Sequence, residues 1–394
     1  MRAVVWKGVR EIGVEDVPDP YLHEPTDALI RVTSSGICGS DLHLYETMAA
    51  FMREGDVLGH EPMGVVVEAG AEVTNLREGD RVVIPFNIAC GHCFMCDQGL
   101  QSQCETTQVR EQGTGAALFG YSTLYGEVPG AQAQFLRVPH ADYGPIKVPE
   151  GPVDDRFVYL SDVLPTAWQA VEYAQPPPDG SLLVLGLGPI GDMAARIARQ
   201  RGVRTVIGVD LVPERLARAR DRGTTALEWA GQDDTVSAVQ DLTHGRGADA
   251  VIDAVGMDAH GSALARGAKA VASALPAAVG QPLMKKVGVD QLSALHTAIA
   301  AVRRGGTVSI IGVYGGAADP LPMMQMFDKQ VQLRMGQANV RRWVDDVMPL
   351  ALDDADPLGL EGFATHHVSL EQAPQAYEDF ASKANGTIKV LLKP

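Results

Sequence analysis

The chain has 394 residues and a formal net charge of −16 at pH 7. A chain of this length usually needs two hydrophobic cores, so we expect two domains. The acidic balance argues against nucleic-acid partners and anionic membrane surfaces, because no basic run is available to neutralise phosphates. There is no long uncharged apolar run and no secretory signal, so we expect no membrane span and a cytoplasmic protein.

The first 150 residues predict a domain of short strands and loops. Apolar or alternating runs are separated there by Gly, Pro and Asp, which is typical of β-rich folds. Residues 105–135 are rich in glycine and lack a hydrophobic period, so we expect a long ordered loop, and such loops are usually functional. The predicted strands are Ala28–Val32, Met63–Glu68, Arg81–Pro85 and Ala133–Pro139.

A cluster of polar residues surrounds Cys38, upstream of the other four cysteines. A lone buried cysteine or histidine is ordinarily a core residue. Here, however, several metal-binding and polar residue types are grouped around glycines, which favours a second metal site, one that could be open. The cluster consists of Cys38, Ser40, Asp41, His43, His60 and Glu61.

The remaining four cysteines, Cys90, Cys93, Cys96 and Cys104, are spaced C-x2-C-x2-C-x7-C. Four thiolates on one short loop can complete a tetrahedral shell, as in a structural zinc site. An iron–sulfur cluster is the leading alternative, since C-x2-C-x2-C also opens the ferredoxin pattern. That pattern continues with x3-C-P, whereas here seven residues precede the fourth cysteine, which favours zinc. Closely spaced cysteines in an odd number also fit reduced thiols better than a disulfide framework.

The pattern changes after Pro176, where apolar strands begin to alternate with amphipathic helices. This alternation predicts a parallel sheet covered on both faces. Residues 256–300 are rich in Ala and Gly and have no clear strand, so their role stays unassigned. Helices return after residue 339, and a last strand at Gly386–Leu392 could rejoin the first domain. The other predicted strands are Ser181–Leu185, Thr205–Asp210, Thr225–Trp229, Ala250–Val255 and Thr307–Gly312.

A G-x-G-x-x-G motif lies between the first of these strands and its helix. It predicts a dinucleotide site rather than a generic turn, because glycines permit a tight turn, approach of a pyrophosphate and helix–strand packing. Asp210 ends the next strand, where a carboxylate can accept the ribose hydroxyls and repels a 2′-phosphate, so NAD is favoured over NADP. Arg215 is the one nearby cation that could favour the phosphate. The motif residues are Gly186, Gly188, Pro189, Ile190 and Gly191.

Taken in order, these motifs resemble the zinc-containing medium-chain dehydrogenase/reductase (alcohol dehydrogenase) superfamily over essentially the whole chain. The resemblance implies a GroES-like β-rich catalytic domain at 1–163 and 339–394, with a structural-zinc lobe at 88–106. It implies a Rossmann doubly wound parallel-sheet domain that binds NAD at 164–338. The zinc signature G-H-E-x2-G-x5-G is met by Gly59, His60, Glu61, Gly64 and Gly70.

The resemblance also implies roles for single residues. Cys38 and His60 would bind a catalytic zinc, and Asp162 would stand where many members have a third cysteine. Glu61 would be a nearby carboxylate able to bind transiently. Ser40 would accept the substrate proton and pass it through the nicotinamide ribose to His43 at the surface, while Asp41 would hold the ring N–H of His60. The lobe cysteines would hold the second zinc.

The segment LSD-x-LPT around Asp162 is similar to the glutathione-independent formaldehyde dehydrogenase branch. The function implied is a zinc-dependent oxidoreductase that transfers a hydride between NAD and a small alcohol or aldehyde hydrate, with formaldehyde as a candidate substrate. One alternative is a nicotinoprotein that retains its NAD and dismutates aldehydes or exchanges hydride between alcohol and aldehyde. Another is a non-catalytic nucleotide-binding protein. Two zinc ions per chain and a homotetramer or homodimer are expected.

Overall fold

The computed structural model describes residues 1–256, 292–314 and 320–394. The described chain forms two compact units. The first contains Met1–Pro165 and Ala338–Pro394, and the second contains Thr166–Gln337. Most of the unassigned 256–300 stretch lies outside the described residues. Every described helix is too short or too polar to span a lipid bilayer.

The first unit is β-rich, as predicted. Its main sheet has seven strands in the order β14-β15-β3-β4-β5-β7, with β6 paired to β3, while β1 and β2 form a separate hairpin. These strands are β1 Arg2–Gly8, β2 Glu11–Asp16, β3 Ala28–Ile37, β4 Glu61–Ala69, β5 Arg81–Val83, β6 Phe135–Val138, β7 Ile146–Lys147, β14 His366–Ser369 and β15 Val390–Lys393.

The strand β3 forms the centre of this sheet. Ala28, Ile30 and Val32 are buried on one face while Arg31 is exposed, which is the period of two expected of a half-buried strand. Burial of the Ile30 and Val32 side chains contributes about 1.5–3 kcal/mol each. The C-terminal strand β15 pairs antiparallel with β3, so the chain end rejoins the first unit as expected.

The helices of the first unit are short in its N-terminal part and longer toward the C-terminus. Up to β6, which begins at Phe135, residues 105–134 hold only single-turn 3-10 helices and isolated bridge pairs, as expected of the predicted long loop. The helices are α1 Gly39–Glu46, α2 Phe94–Asp97, α9 Val340–Leu352 and α10 Ala373–Ser382, and α3 Val163–Ala174 starts in this unit and continues into the second.

The second unit is a parallel six-stranded sheet in the order β10-β9-β8-β11-β12-β13. This is the doubly wound order 3-2-1-4-5-6, whose crevice for a nucleotide lies at the carboxyl ends of the two central strands. The strands are β8 Ser181–Leu185, β9 Thr205–Asp210, β10 Thr225–Glu228, β11 Ala248–Asp253, β12 Val302–Ile310 and β13 Gln332–Met335. The helices are α4 Pro189–Gln200, α5 Pro213–Asp221, α6 Gln232–Leu242, α7 Ser293–Ala301 and α8 Met323–Lys329.

Candidate metal centres and nucleotide site

Four acidic or metal-binding side chains of the first unit meet at one buried point. One donor atom each from Cys38, His60, Glu61 and Asp162 can be chosen so that all lie within 4.8 Å of one another. All four residues are buried. The structure therefore brings together the residues that the family resemblance implied at a catalytic zinc.

Local backbone geometry positions each donor. Cys38 follows the end of β3 and adopts an extended conformation as the N-cap of α1. Glu61 is the first residue of β4 and pairs with Gly36 of β3, so the two strands deliver the thiol and the carboxylate side by side. Asp162 ends a 3-10 turn over Val158–Ser161 and directly precedes α3.

The donor separations fit a tetrahedral zinc shell. The Cys38 Sγ lies 3.7 Å from Asp162 Oδ2, and His60 Nε2 lies 3.5 Å from the same oxygen. Zinc bonds of roughly 2.0–2.3 Å imply donor–donor edges of about 3.3–3.8 Å in a tetrahedron. Cys38, His60 and Asp162 thus have the chemistry and spacing of three zinc ligands.

The charge balance of the cluster also calls for a cation. Burial, with the carboxylates of Glu61 and Asp162, raises the pKa of the Cys38 thiol to about 11. Burial raises the pKa of Glu61 as well, although Lys389 opposes that shift. Lys389 is fully buried, forms an ion pair with Glu61, and donates to the Ile37 carbonyl at 3.0 Å. A divalent ion bound among these donors would stabilise the ionised thiol and carboxylates, which burial alone disfavours.

Carboxylates face both ring nitrogens of His60. Its Nδ1 lies 3.2 Å from Asp41 Oδ1, while its Nε2 faces Asp162. Burial lowers the pKa of His60, but Asp41 and Asp162 outweigh it and hold that pKa well above its usual value. Asp41 also accepts the backbone N–H of Cys38 at 2.9 Å. The structure therefore places Asp41 where the resemblance expected a group that holds the imidazole.

Ser40 and His43 both lie on α1, immediately after Cys38. Because they are three residues apart, they are neighbours on one face of the helix. Ser40 is half-buried. His43, which was expected at the surface, is only 7 % exposed. A proton leaving through His43 therefore has little direct access to water in this conformation.

The four-cysteine lobe forms a second donor cluster, whose four sulfur atoms also lie within 4.8 Å of one another. Cys93 Sγ and Cys104 Sγ are 3.8 Å apart, close to the edge of about 3.8 Å implied by four zinc–sulfur bonds. Backbone N–H groups donate to sulfur, from Cys90 to Cys104 and from Glu105 to Cys93, each at 3.3 Å. Burial opposes ionisation of Cys104, but such backbone donors lower its pKa to about 6. Burial raises the pKa of Cys96. The lobe is suited to four thiolates around one zinc.

The glycine motif has the geometry that a pyrophosphate requires. Gly186 has a φ of +83° directly after β8, and Gly188 is the N-cap of α4, with Pro189 in its first turn. A Cβ on Gly191 would collide with the Gly186 carbonyl, so the turn tolerates only glycine there. Ile190 follows in the same first turn. Backbone N–H groups at this helix start are free to meet an anion.

Asp210 ends β9 beside this turn. Its Oδ2 accepts the N–H of Leu187 at 2.7 Å, and its Oδ1 accepts those of Leu211 and Val212 at 2.7 and 2.9 Å. Arg215 Nη1 lies 3.6 Å from the same Oδ2. The carboxylate is therefore fixed beside the glycine turn, and Arg215 stands close enough to compensate its charge.

Sequence reasoning missed three buried polar residues around the first cluster. They are Gln132, Tyr377 and Lys389, all fully buried. Lys389 had one visible signal, because it interrupts an otherwise apolar run from Ile388 to Leu392. Gln132 and Tyr377 had none, since their partners are distant in sequence.

Comparisons with known proteins agree with this geometry. The family profile of the alcohol dehydrogenase GroES-like domain matches residues 24–150, and that of the zinc-binding dehydrogenases matches residues 189–285. A zinc-type alcohol dehydrogenase-like protein of Bacillus subtilis, AdhB, is 39 % identical over 100 % of both chains. A glutathione-independent formaldehyde dehydrogenase of Pseudomonas aeruginosa is 31 % identical over 96 % of this chain and 94 % of its own.

Solved structures show the same relationship. The alcohol dehydrogenase TADH from Thermus sp. ATN1 superposes with a TM-score of 0.82 at 35 % identity, covering 100 % of this chain and 99 % of that one. The predicted fold, a GroES-like domain with a Rossmann-like parallel sheet, is thereby confirmed. The chain belongs to the zinc-containing medium-chain dehydrogenase/reductase superfamily, as a zinc-type alcohol dehydrogenase-like oxidoreductase with formaldehyde dehydrogenases among its relatives.

Proposed function

We propose that the chain is an NAD-dependent zinc dehydrogenase that oxidises a small alcohol or aldehyde hydrate, with formaldehyde the first substrate to test. The observation that carries the proposal is the buried meeting of Cys38, His60 and Asp162 at zinc-ligand separations. The similarity to a formaldehyde dehydrogenase supports the choice of substrate.

In this proposal Cys38, His60 and Asp162 hold the catalytic zinc. A zinc bound there would act as a Lewis acid toward the substrate oxygen. Asp41 fixes the imidazole so that Nε2 remains the donor nitrogen. Lys389 holds Glu61 by an ion pair, so that Glu61 is available nearby without being a permanent fourth ligand.

The reaction removes a hydride and a proton from the substrate. NAD held by the second unit would supply the hydride acceptor, its nicotinamide ring, and would be reduced to NADH. The proton goes from the substrate hydroxyl to the Ser40 hydroxyl and from there toward His43. Both residues lie on α1 next to Cys38, which supports this order. An aldehyde hydrate leaves as the carboxylic acid, and an alcohol leaves as the aldehyde.

The cofactor proposal rests on the turn after β8. The helix start from Gly188 would hold the pyrophosphate, and Asp210 would meet the adenosine ribose. A carboxylate there repels a 2′-phosphate, so NAD is proposed over NADP. Arg215 is the residue that could reverse this preference, since it lies beside Asp210.

Self-association is proposed from the surface of the second unit. Among the described residues, strand β13 is at the edge of its sheet, with Leu333 and Met335 exposed. The neighbouring helix α8 exposes Met323, Met324 and Phe327. Apolar side chains beside an unpaired strand edge favour burial against another chain. A homodimer or homotetramer would do this, and analytical ultracentrifugation would show it. The five free cysteines, arranged as ligands, support a reducing compartment such as the cytoplasm.

The test is steady-state turnover of formaldehyde and short primary alcohols, with NAD, with NADP and with neither. Turnover that needs added NAD and exceeds that with NADP supports the proposal. Turnover of aldehyde without any added cofactor would instead indicate a nicotinoprotein that retains its NAD. Nucleotide binding without turnover of any of these substrates would indicate a non-catalytic binding protein.

A further inference from the structure

A line of buried polar side chains extends from His60 on the side opposite Asp162. It begins at Asp41, which faces His60 Nδ1 at 3.2 Å, and continues through Gln132 to Tyr377 on α10. Gln132 and Tyr377 are both fully buried. Burying an amide and a phenol in this position is unfavourable unless their hydrogen bonds are used.

The hydrogen bonds fix the direction of the line. Gln132 Nε2 donates to the Gly36 carbonyl at 3.2 Å and to Asp41 Oδ2 at 3.3 Å. Both partners can only accept, so the amide nitrogen must face them and the amide oxygen must point away. That oxygen lies 2.8 Å from the Tyr377 hydroxyl, which is therefore the donor.

Gln132 also touches the backbone that carries both ligands. Its own N–H donates to the Leu58 carbonyl at 2.8 Å, two residues before His60. A Cβ on Gly59 would lie 2.6 Å from the Gln132 backbone nitrogen, so this glycine permits the close approach. On the other side Gly36 precedes Cys38 by two residues. One glutamine thus contacts the segments that deliver the thiol and the imidazole.

We propose that Gln132 and Tyr377 are positioning residues for the catalytic metal. Tyr377 fixes the Gln132 amide, the amide fixes Asp41, and Asp41 holds His60 with Nε2 directed at the donor cluster. Without the phenol hydroxyl, the amide oxygen of Gln132 would be buried without a partner and the amide could turn. Asp41 would then lose a donor. The inference rests on the metal site of the proposed function, and not on its substrate.

The experiment compares Gln132→Met, Tyr377→Phe and the double variant in zinc affinity, measured by competition with a chromophoric chelator. Tyr45→Phe is the matched control, because the Tyr45 ring lies 5.6 Å from that of Tyr377 outside the hydrogen-bonded line. We expect Gln132→Met to lower the affinity for the more easily removed zinc by about 10-fold. This is the lower end of the loss in metal affinity seen when a group that holds a metal ligand is removed. Tyr377→Phe should weaken it less, and the four-cysteine zinc should be unchanged.

Non-additivity is the decisive readout. If Tyr377 acts through Gln132, the double variant should bind the catalytic zinc no more weakly than Gln132→Met alone. The inference is overturned if the two losses in zinc affinity multiply in the double variant. It is also overturned if Tyr377→Phe binds zinc like wild type, or if Tyr45→Phe loses as much affinity as Tyr377→Phe. If Gln132→Met does not fold, Tyr377→Phe against Tyr45→Phe decides alone. A wild-type chain that binds only one zinc overturns the metal site itself, and is recognised before any variant is made.

Discussion

The two candidate metal sites are built in opposite ways from similar donors. The lobe takes all its ligands from residues 90–104, and backbone N–H groups of the same loop donate to its sulfurs. The other site joins Cys38 to Asp162 across 124 residues of sequence and mixes thiol, imidazole and carboxylate. A local, all-thiol shell is closed and has no place for a substrate, whereas three mixed ligands leave a coordination position open.

The thiols of the two sites also differ in acidity. The pKa of Cys104 is lowered to about 6, since backbone donors more than offset burial, whereas burial and two carboxylates raise that of Cys38 to about 11. In the lobe, hydrogen bonds favour the thiolates of Cys93 and Cys104, whereas burial raises the pKa of Cys96. At the mixed site, a bound metal ion would be needed to stabilise the buried thiolate and carboxylates. This difference predicts that the two zinc ions respond differently to mutation and to pH.

The largest effect is expected from Asp162→Ala. Losing one of three protein ligands should leave about one zinc per chain, in the lobe. Turnover should fall on the order of 10³-fold, because Lewis-acid stabilisation is worth several kcal/mol. Elemental analysis and steady-state kinetics would measure both. Asp155→Ala is the control, since Asp155 is equally buried but pairs with Lys393 away from the donor set. Two zinc ions retained in Asp162→Ala would mean that another residue, such as Glu61, is the ligand.

A smaller loss is expected from Ser40→Ala. Removing the proton acceptor should lower kcat by about 10²-fold while zinc content and the affinity for NAD stay unchanged. Ser35→Ala tests whether any buried serine in this segment would do the same, because Ser35 is fully buried on β3. Unchanged kcat in Ser40→Ala would remove Ser40 from the proton path.

Acidification should separate the two zinc ions. Zinc must displace protons from Cys38 and His60, whose pKa values are both raised, so affinity at the mixed site falls as pH falls. The expected loss is about 10-fold per pH unit for each displaced proton. The thiolate of Cys104 persists to about pH 6. Zinc counted by native mass spectrometry between about pH 8 and about pH 6 should drop from two to one per chain. Loss of the lobe zinc first would contradict the comparison.

The smallest effect on turnover is expected from Cys93→Ser. The variant should lose the lobe zinc and unfold at a lower temperature, because metal binding at a structural site stabilises the fold. Its kcat/KM at low temperature should stay within about 3-fold of wild type, since donor sets that share no residue act nearly independently. Calorimetry and kinetics on the same preparation would test this. A loss as large as that of Asp162→Ala would mean that the lobe takes part in the reaction.

Local patterns in the sequence predicted local structure well. The glycine turn at Gly186–Gly191 and the four-cysteine loop lie within single short segments, so spacing alone identified them. A helix follows the first strand of the second unit, as expected, and α4 begins at Pro189, where glycine and proline mark its first turn. The last strand starts later than expected, at Val390, because Asn385 and Gly386 both adopt positive φ and form a turn.

Contacts between distant segments could not be predicted in the same way. Asp162 was identified only through a family resemblance, because nothing in its neighbourhood indicates that it meets Cys38. The Lys389–Glu61 pair follows from the pairing of β15 with β3, and the Gln132–Tyr377 contact from the packing of α10. His43 was expected at the surface and is buried, since the solvent exposure of a short helix depends on what packs over it.

The most direct test of the account is a zinc titration monitored by native mass spectrometry and activity together. The purified chain should carry two zinc ions. A mild chelator should remove one of them with complete loss of formaldehyde or alcohol oxidation, and one equivalent of zinc should restore it. Activity that survives removal of the first zinc, or an active chain that holds a single zinc in the four-cysteine lobe, would contradict the proposed catalytic site.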